Sequence, residues 1–193
     1  MTNYKTQKPT DILKKDHKII KDIIKVLEAC AGSLEKGGKC DLDILNGSMN
    51  LIKNFNHKYH RRTEESVLFK IAEKKEAPWS GGDISSIIRE HEEGAEQVRR
   101  VADLLRESVA AGIFSKKSKK AVVKNLYAYS SLLGSHLMQE EKTLYPVIES
   151  LLTNQEKKNI LQSFERLAQE MKEIGDKERY TNSIKEYKKR LAI

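Results

Sequence analysis

A ten-residue motif occurs twice in this 193-residue chain and constrains its fold more than any other feature. The copies are residues 60–69 and 136–145, and both have the pattern H-x-x-x-E-E-x-x-L-aromatic. Each copy is preceded along the chain by an acidic residue next to a histidine, at residues 16–17 for the first copy and 90–91 for the second. The chain therefore looks like one helical hairpin that has been duplicated.

The spacing inside the motif places a histidine and a glutamate on one face of a helix. In each copy the first glutamate follows the histidine by four positions, which is roughly 40° around an α-helix and about 6 Å along it. The next glutamate is rotated by roughly a further 100°. We therefore assign Glu64 and Glu140 to the interior, and Glu65 and Glu141 to solvent or to a layer behind the interior side chains.

Apolar residues at three- and four-residue spacing predict four long helices. Their predicted limits are Pro9 to Gly37-Gly38, Asp41 or Asp43 to about Lys75, Asp83 to Gly112, and Ser115 or Ser118 to Pro146, where the proline ends or kinks the helix. Short connections between long helices indicate antiparallel neighbours. The expected fold is all-α, an up-down-up-down four-helix bundle with a C-terminal helical extension.

The extension is predicted to begin after the bundle, so that residues 10–152 form one domain and residues 153–193 the extension. A capping box at Thr153 starts its first helix, Gly175 breaks it, and a basic helix covers about 181–192. This segment could pack over the end of its own bundle or form a dimer interface, and packing on its own bundle is preferred.

The four motif histidines are predicted to lie at one depth in the bundle. His17 and His91 come early in helices one and three, whereas His60 and His136 come late in helices two and four. In an antiparallel bundle these positions share one end. A single core histidine is more often a packing residue than a ligand, but four of the five histidines here fall on inward stripes at one height.

The resulting layer holds four imidazoles and two carboxylates, which are candidate metal ligands: His17, His60, Glu64, His91, His136 and Glu140. Buried charges must be paired or must bind metal. Six groups exceed the needs of one tetrahedral zinc. Two ions bridged by Glu64 and Glu140, with a solvent-derived oxygen as a third bridge (oxo or hydroxo), would use all six. Mixed imidazole and carboxylate ligands fit iron best, with zinc and manganese as alternatives.

Composition argues against other classes of protein. The net charge is +8, but basic and acidic residues are interspersed as on solvated helices, so no nucleic-acid partner is expected. The two cysteines, Cys30 and Cys40, form no C-x-x-C motif, and Cys30 is expected in the core. No apolar run approaches the roughly 20 residues that span a bilayer, and no secretory signal is evident, so we expect a cytoplasmic protein without a membrane partner.

The duplicated motifs resemble those of the hemerythrin-like proteins, the HHE cation-binding group, over about residues 10–150. The resemblance implies that the six residues are ligands of a di-iron site, with Glu64 and Glu140 as bridges. It also implies a protein that binds oxygen, senses oxygen or iron, or handles nitric oxide and peroxide. The expected partner is therefore O2, NO or peroxide, and a homodimer is an open alternative.

One position departs from the oxygen-carrying members of that family. Those proteins have a second histidine one turn after the ligand of the third helix, where this chain has Ala95. This difference disfavours a reversible oxygen carrier. It favours a sensor, or a di-iron redox enzyme that reduces nitric oxide or peroxide. Proteins that repair iron centres have a similar ligand set, but their cysteine-containing N-terminal domain is not found in this sequence. A third hypothesis is an iron donor or interaction module.

Several neighbouring residues allow more than one role. His57 could replace the missing histidine, support the ligands from behind or reach the rim, and its counterpart Leu133 in the other copy favours a non-ligand role. Tyr129 is expected in the core, with its hydroxyl either packed or aimed at the site. The aromatic residues that close the two motifs are expected to plug the bundle end, and the acidic residues 16 and 90 are expected on the surface.

Overall fold

The structure is a computed structural model that describes residues 7–38, 41–75, 84–110 and 114–193. In these ranges the regular elements are all helices, and no strand occurs among them. We number the helices α1 (Pro9–Glu35), α2 (beginning at Leu42 and ending at Lys74), α3 (Ile84–Ala110), α4 (beginning at Lys116 and ending at Leu151), α5 (Asn154–Glu170) and α6 (Lys177–Leu191). The predicted all-α class is confirmed.

Local chemistry explains where these helices begin. Pro9 occupies the first turn of α1, where a backbone N–H has no helical partner to lose. The Asp41 side chain accepts from two backbone N–H groups at the start of α2, and Ser115 does the same for one N–H at the start of α4. Thr153 forms the predicted capping box with Glu156. The predicted limits at Asp83 and Gly112, like Cys40, lie outside the described residues.

Three stretches of α2 and α4 are π-helical, with a wider turn than an α-helix. They are Ile52–His60, Glu64–Phe69 and Glu140–Leu144. Such turns are uncommon and often occur at functional sites. Two of these stretches begin at the glutamates of the repeated motif, so the irregularity of the helices coincides with the candidate ligands.

Pro146 does not end α4, contrary to one of the two predicted outcomes. The helix continues as the α-helical segment Tyr145–Leu151, and Pro146 sits in the first turn of that segment, directly after a π-helical stretch. A proline there does not have to break a regular α-helical ladder, because the ladder is already interrupted before it. The last helix also begins earlier than predicted, at Lys177, where Asp176 caps it.

The helices bury two apolar clusters, and the polar layer described below lies between them. α1 packs against α2, α4 and α6, and α3 packs against α2 and α4. The larger cluster includes Cys30, as predicted, together with Tyr180 and Ile184 of α6. The smaller one joins Phe69 and other residues of the motifs to α5. Both helices of the segment 153–193 therefore pack on the same chain. None of the described helices is both long and apolar enough to cross a bilayer.

Candidate metal centre

The structure brings all six predicted ligands together in one layer. α1 and α3 each contribute one histidine, and α2 and α4 each contribute a histidine and a glutamate. Their potential ligand atoms form two groups, in each of which every atom lies within 4.8 Å of the others: one is His17, His60, Glu64 and Glu140, and the other is His91, His136 and Glu140. Five of the six residues are buried and His91 is nearly so.

The four imidazoles form two pairs. His17 and His60 approach through their Nε2 atoms, which are 3.1 Å apart, and their ring centroids are 4.8 Å apart. The ring centroids of His91 and His136 are 4.6 Å apart. The first pair joins α1 to α2 and the second joins α3 to α4, so each half of the duplicated sequence supplies one pair.

Each interior glutamate spans the two pairs. The Oε2 atom of Glu64 lies 3.5 Å from Nε2 of His60 and 3.6 Å from Nε2 of His91. The Oε2 and Oε1 atoms of Glu140 each lie 3.3 Å from an imidazole Nε2, that of His17 and that of His136 respectively. Each carboxylate thus faces one imidazole from each pair. This is the arrangement expected of carboxylates that bridge two ions.

These carboxylates lack hydrogen-bond donors where burial requires them. Oε2 of Glu64 and both carboxylate oxygens of Glu140 are buried and have no hydrogen-bond partner among the described residues. A buried charged oxygen without a donor costs several kcal/mol, roughly, which is why such groups are normally paired or bound to metal. Cations held between the glutamates and the imidazoles would supply the missing interactions, so the residues present fit a metal site.

A second layer of carboxylates orients the histidines. The Nδ1 atom of every imidazole faces a carboxylate from another helix, at 2.9 Å (His17 and Glu141), 3.6 Å (His60 and Asp16), 2.7 Å (His91 and Glu65) and 2.7 Å (His136 and Glu90). The contacts of His17, His91 and His136 are hydrogen bonds, which fix the tautomer with Nδ1 protonated and leave the Nε2 lone pair for a metal, whereas Asp16 faces Nδ1 of His60 without a hydrogen bond. Of the two locations predicted for Glu65 and Glu141, solvent or a layer behind the interior side chains, the structure shows the second.

The predicted surface location of Asp16 and Glu90 is wrong. Asp16 is 0% exposed and forms an ion pair with Lys177, while Glu90 is only partly exposed and bonds to His136. The predicted rotation of about 100° away from the ligand stripe turns each carboxylate towards the neighbouring helix instead of towards water. The sequence did contain a signal, because an acidic residue precedes the first histidine in both copies.

The electrostatics of the layer follow from burial and from these carboxylates. Burial disfavours the charged form of His17, but the nearby carboxylates of Glu140 and Glu141 outweigh this cost and raise the pKa of His17 to about 9. His136 is raised to a pKa of about 10 against the same burial cost, by Glu140 above all. Burial raises the pKa of Glu64 to about 7. Protons and cations would therefore compete for the same buried donor atoms, and metal binding would release protons.

The aromatic residues that close the motifs contact the layer directly. Phe69 stacks on the His91 ring with centroids 6.2 Å apart. Tyr145 stacks on His17, and its hydroxyl donates to Glu64 and lies 3.0 Å from Nε2 of His17. The sequence predicted that these residues plug the end of the bundle, and it did not predict that the Tyr145 hydroxyl belongs to the polar site.

A cavity of about 20 Å³ lies beside the His91 and His136 pair. Its wall is formed by Asn56, His57, Arg61, Glu90, His91, Gly94, Tyr129, Leu132, Leu133 and His136. Nε2 of His57 is 3.2 Å from the Tyr129 hydroxyl, and His57 belongs to neither group of potential ligands. Burial lowers the pKa of His57 to about 4, so the ring is neutral. Of the three roles predicted for His57, the structure favours a supporting role next to the candidate ligands over a role as a ligand.

Comparison with known proteins is consistent with a cation site. A sequence model described as the hemerythrin HHE cation binding domain matches residues 8–148. Uncharacterized proteins of Mycobacterium tuberculosis strain H37Rv and of Mycobacterium bovis are each 24% identical over 158 residues, which cover 81% of this chain and 59% of the relative. The chain thus spans less than two thirds of the length of these relatives. No solved structure matches it.

Proposed function

This chain belongs to the hemerythrin HHE cation-binding family, and on that premise we propose that it is a non-haem di-iron protein that binds O2 or NO for sensing, storage or handling. We also propose that residues 10–152 form an up-down-up-down four-helix bundle around the iron and that residues 153–193 are an extension of it. The bridging position of Glu64 and Glu140 between two histidine pairs is the observation that carries the proposal.

In this proposal each ion has two histidines and shares both glutamates. His17 and His60 hold one ion, His91 and His136 hold the other, and the two interior glutamates bridge them. The unpartnered carboxylate oxygens support this assignment, because they are buried next to imidazole nitrogens and would bind cations more favourably than they remain bare. The outer carboxylates keep the Nε2 atoms directed inward.

The ligand types support iron over other metals. Imidazole suits iron, zinc and copper, carboxylate suits harder ions, and the mixed set with room for a further ligand is typical of non-haem iron. Zinc or manganese in the same site remains an alternative. Bound iron would supply redox chemistry and an affinity for diatomic ligands that none of the side chains has.

The surroundings limit what else could bind. The cavity beside the second histidine pair, at about 20 Å³, has room for about one water-sized molecule. O2 and NO are only slightly larger than water, whereas an organic substrate exceeds this volume. We therefore propose a diatomic ligand, and peroxide as the largest that could be accommodated.

Metal analysis together with an optical titration tests this function. The full chain is purified without oxygen, reconstituted with Fe²⁺, and assayed for iron per chain and for its absorption spectrum before and after addition of O2 or NO. We expect two iron ions per chain and a new visible band that saturates with stoichiometric ligand. A protein that retains one ion or none, or whose spectrum does not respond to either gas, would contradict the proposal.

A di-iron redox enzyme that reduces NO or peroxide, or takes part in iron-centre repair, is the second candidate. The observation in its favour is the protic wall of the cavity, where Tyr129 and His57 lie next to the second histidine pair. Multiple-turnover measurements distinguish the two: an enzyme consumes many equivalents of NO or peroxide in the presence of a reductant, and a binding protein consumes one. An iron donor or interaction module would show neither turnover nor a spectral response.

A further inference from the structure

The two histidine pairs have different surroundings. Next to His17 and His60 the Tyr145 hydroxyl occupies the space between a ring nitrogen and Glu64, and fully buried Leu13 and Leu144 pack in the same apolar cluster. Side chains thus fill the region around this pair. A small molecule that approached from here would have to displace Tyr145 from its hydrogen bond.

The other pair borders a cavity among the described side chains. The space beside His91 and His136 is about 20 Å³ and is bounded by Gly94 on α3 and Tyr129 on α4. A space of that volume holds about one water-sized molecule. The absence of a side chain at Gly94 helps to create it, because a Cβ atom there would contact the Tyr129 ring at 3.4 Å.

With His57 in the tautomer that carries its proton on Nε2, the hydrogen bonds of Tyr129 leave its own proton available to this space. The Asn56 amide donates to the Tyr129 hydroxyl at 3.2 Å, and Nε2 of His57 lies at the same distance. A phenol has one proton to donate and can accept two hydrogen bonds. When the neutral His57 donates through Nε2, both neighbours are donors and the phenolic proton points elsewhere. Burial raises the pKa of Tyr129, so the hydroxyl keeps this proton.

We propose that the exogenous ligand of the centre binds in this cavity, at the ion held by His91 and His136, and that Tyr129 donates a hydrogen bond to it. The proposal rests on the proposed function, because it requires an iron-loaded site, and it adds the position of the ligand and the residue that selects it. Tyr129 then favours a ligand that gains negative charge on binding, and Asn56 and His57 position its hydroxyl.

The same wall defines how the ligand enters. His57 and Arg61 border the cavity and also border a groove on the outer surface between α2 and α3. The Arg61 side chain is held at this wall by Glu65, at 2.5 Å from its Nε atom. Because these two side chains line both spaces, we expect a diatomic ligand to reach the cavity past His57 and Arg61.

Filling the cavity tests the position of the ligand. In Gly94→Ala, the added methyl group lies 3.4 Å from the Tyr129 ring, where it narrows the cavity without a clash, and alanine also favours the helix over glycine. Gly134→Ala is the matched control, because no heavy atom lies within 4 Å of its added Cβ and it gives the same helical gain. With the iron-loaded, reduced full chain, we expect NO to bind at least tenfold more weakly to Gly94→Ala and with wild-type affinity to Gly134→Ala.

Removing one hydroxyl tests the donor. Tyr129→Phe keeps the ring in place, and the loss of one hydrogen bond should speed NO dissociation by about three- to tenfold. Tyr127→Phe is the control, since Tyr127 is exposed on the same helix and bonds only weakly to Glu35. The iron content and the melting temperature of each metal-free variant are measured alongside, so that a change in loading or folding is not mistaken for a change in ligand binding.

The outcomes separate this inference from the function on which it rests. A wild-type protein that takes up no iron, or that binds no NO when loaded, overturns both. Normal NO binding in Gly94→Ala and Tyr129→Phe, with loading intact, overturns the ligand position and leaves the di-iron function standing. Weaker binding in Tyr145→Phe but not in Tyr129→Phe would assign the ligand to the opposite pair and would also overturn it.

Discussion

Lys177 forms an ion pair with Asp16, a carboxylate that has no exposed surface and faces the Nδ1 atom of His60 at 3.6 Å. The lysine is the first residue of α6, beyond the region that matches the family. The last helix therefore supplies the counter-charge for a buried carboxylate that faces a candidate metal ligand. Gly175 packs closely here, because a Cβ atom on it would lie 2.8 Å from the Tyr59 ring.

Replacing Lys177 by methionine should destabilise the protein. The change keeps the aliphatic chain but leaves the Asp16 carboxylate buried without its cation, which we expect to cost about 1–3 kcal/mol, less than a fully buried pair because Lys177 is 35% exposed. Urea unfolding of the metal-free chain measures it. The control is Lys188→Met, which breaks the partly exposed pair with Asp22 on the same two helices and should cost about 0–1 kcal/mol. Equal losses in the two variants would contradict a special role for Lys177.

Removal of metal should lower the melting temperature of the whole chain. A ligand that binds only the folded state stabilises it by RT ln(1 + [L]/Kd), or about 2.7 kcal/mol at a concentration one hundred times Kd. Thermal unfolding followed by circular dichroism, before and after dialysis against a strong chelator, gives the shift. We expect it to be reversed by added Fe²⁺ and not by Ca²⁺, which prefers oxygen ligands. An unchanged melting temperature would argue against a buried metal site.

The two adjacent glutamates of the second motif should have different effects. Glu140→Gln removes a carboxylate that faces both histidine pairs, so we expect the loss of one or both ions. Glu141→Gln changes the partner of Nδ1 of His17 and of the Lys21 ammonium but no group that faces both histidine pairs, and we expect metal affinity to fall by about 10–100-fold with the stoichiometry unchanged. Iron titration with analysis of bound metal distinguishes them. The reverse order of effects would mean that Glu141, and not Glu140, is the ligand.

The stability of the metal-free protein should fall as the pH rises above neutrality. The pKa values of His17 and His136 are raised to about 9 and about 10, above the value near 6.5 of an unfolded histidine. A raised pKa means that the folded state binds protons more tightly, so the stabilisation is complete below pH 6.5 and is lost as the pH rises towards 9 and 10.

Chemical unfolding of the chelated protein between pH 6 and pH 10 measures this dependence. His136→Gln should have a flatter profile over the same range because one of the two titrating groups is gone. A wild-type profile that is flat or rises with pH would contradict the electrostatics described for the layer.

The candidate ligands could be predicted from the sequence because a helix has a fixed period. A histidine and a glutamate four positions apart share a face in any regular helix. The inward location of Glu64 and Glu140 could therefore be predicted without knowing how the helices pack. Because the pattern occurs twice, a chance arrangement of these residues became improbable. The common depth of the four histidines followed from the lengths of the helices and connections alone.

The orientation of the remaining residues depended on neighbours that the sequence does not specify. Asp16 lies about 100° from the ligand stripe, and whether that direction meets water or another helix is decided by tertiary packing. Its partner Lys177 is far away along the chain, and nothing in a basic segment distinguishes this lysine from the others. The prediction for Pro146 assumed that proline interrupts a regular α-helix. That assumption does not hold directly after a π-helical stretch, which the sequence did not reveal.

The π-helical stretches at Glu64–Phe69 and Glu140–Leu144 have a consequence for how such a chain can change. Each wide turn accommodates roughly one residue more than an α-turn would. Deletion of that residue would restore a regular α-helical turn, but it would rotate the rest of the helix by about 100°. Phe69 or Tyr145 would then no longer cover its histidine ring. The ten-residue motif therefore depends on its exact length, and we expect an insertion or deletion inside it to separate Phe69 or Tyr145 from the histidine that it covers.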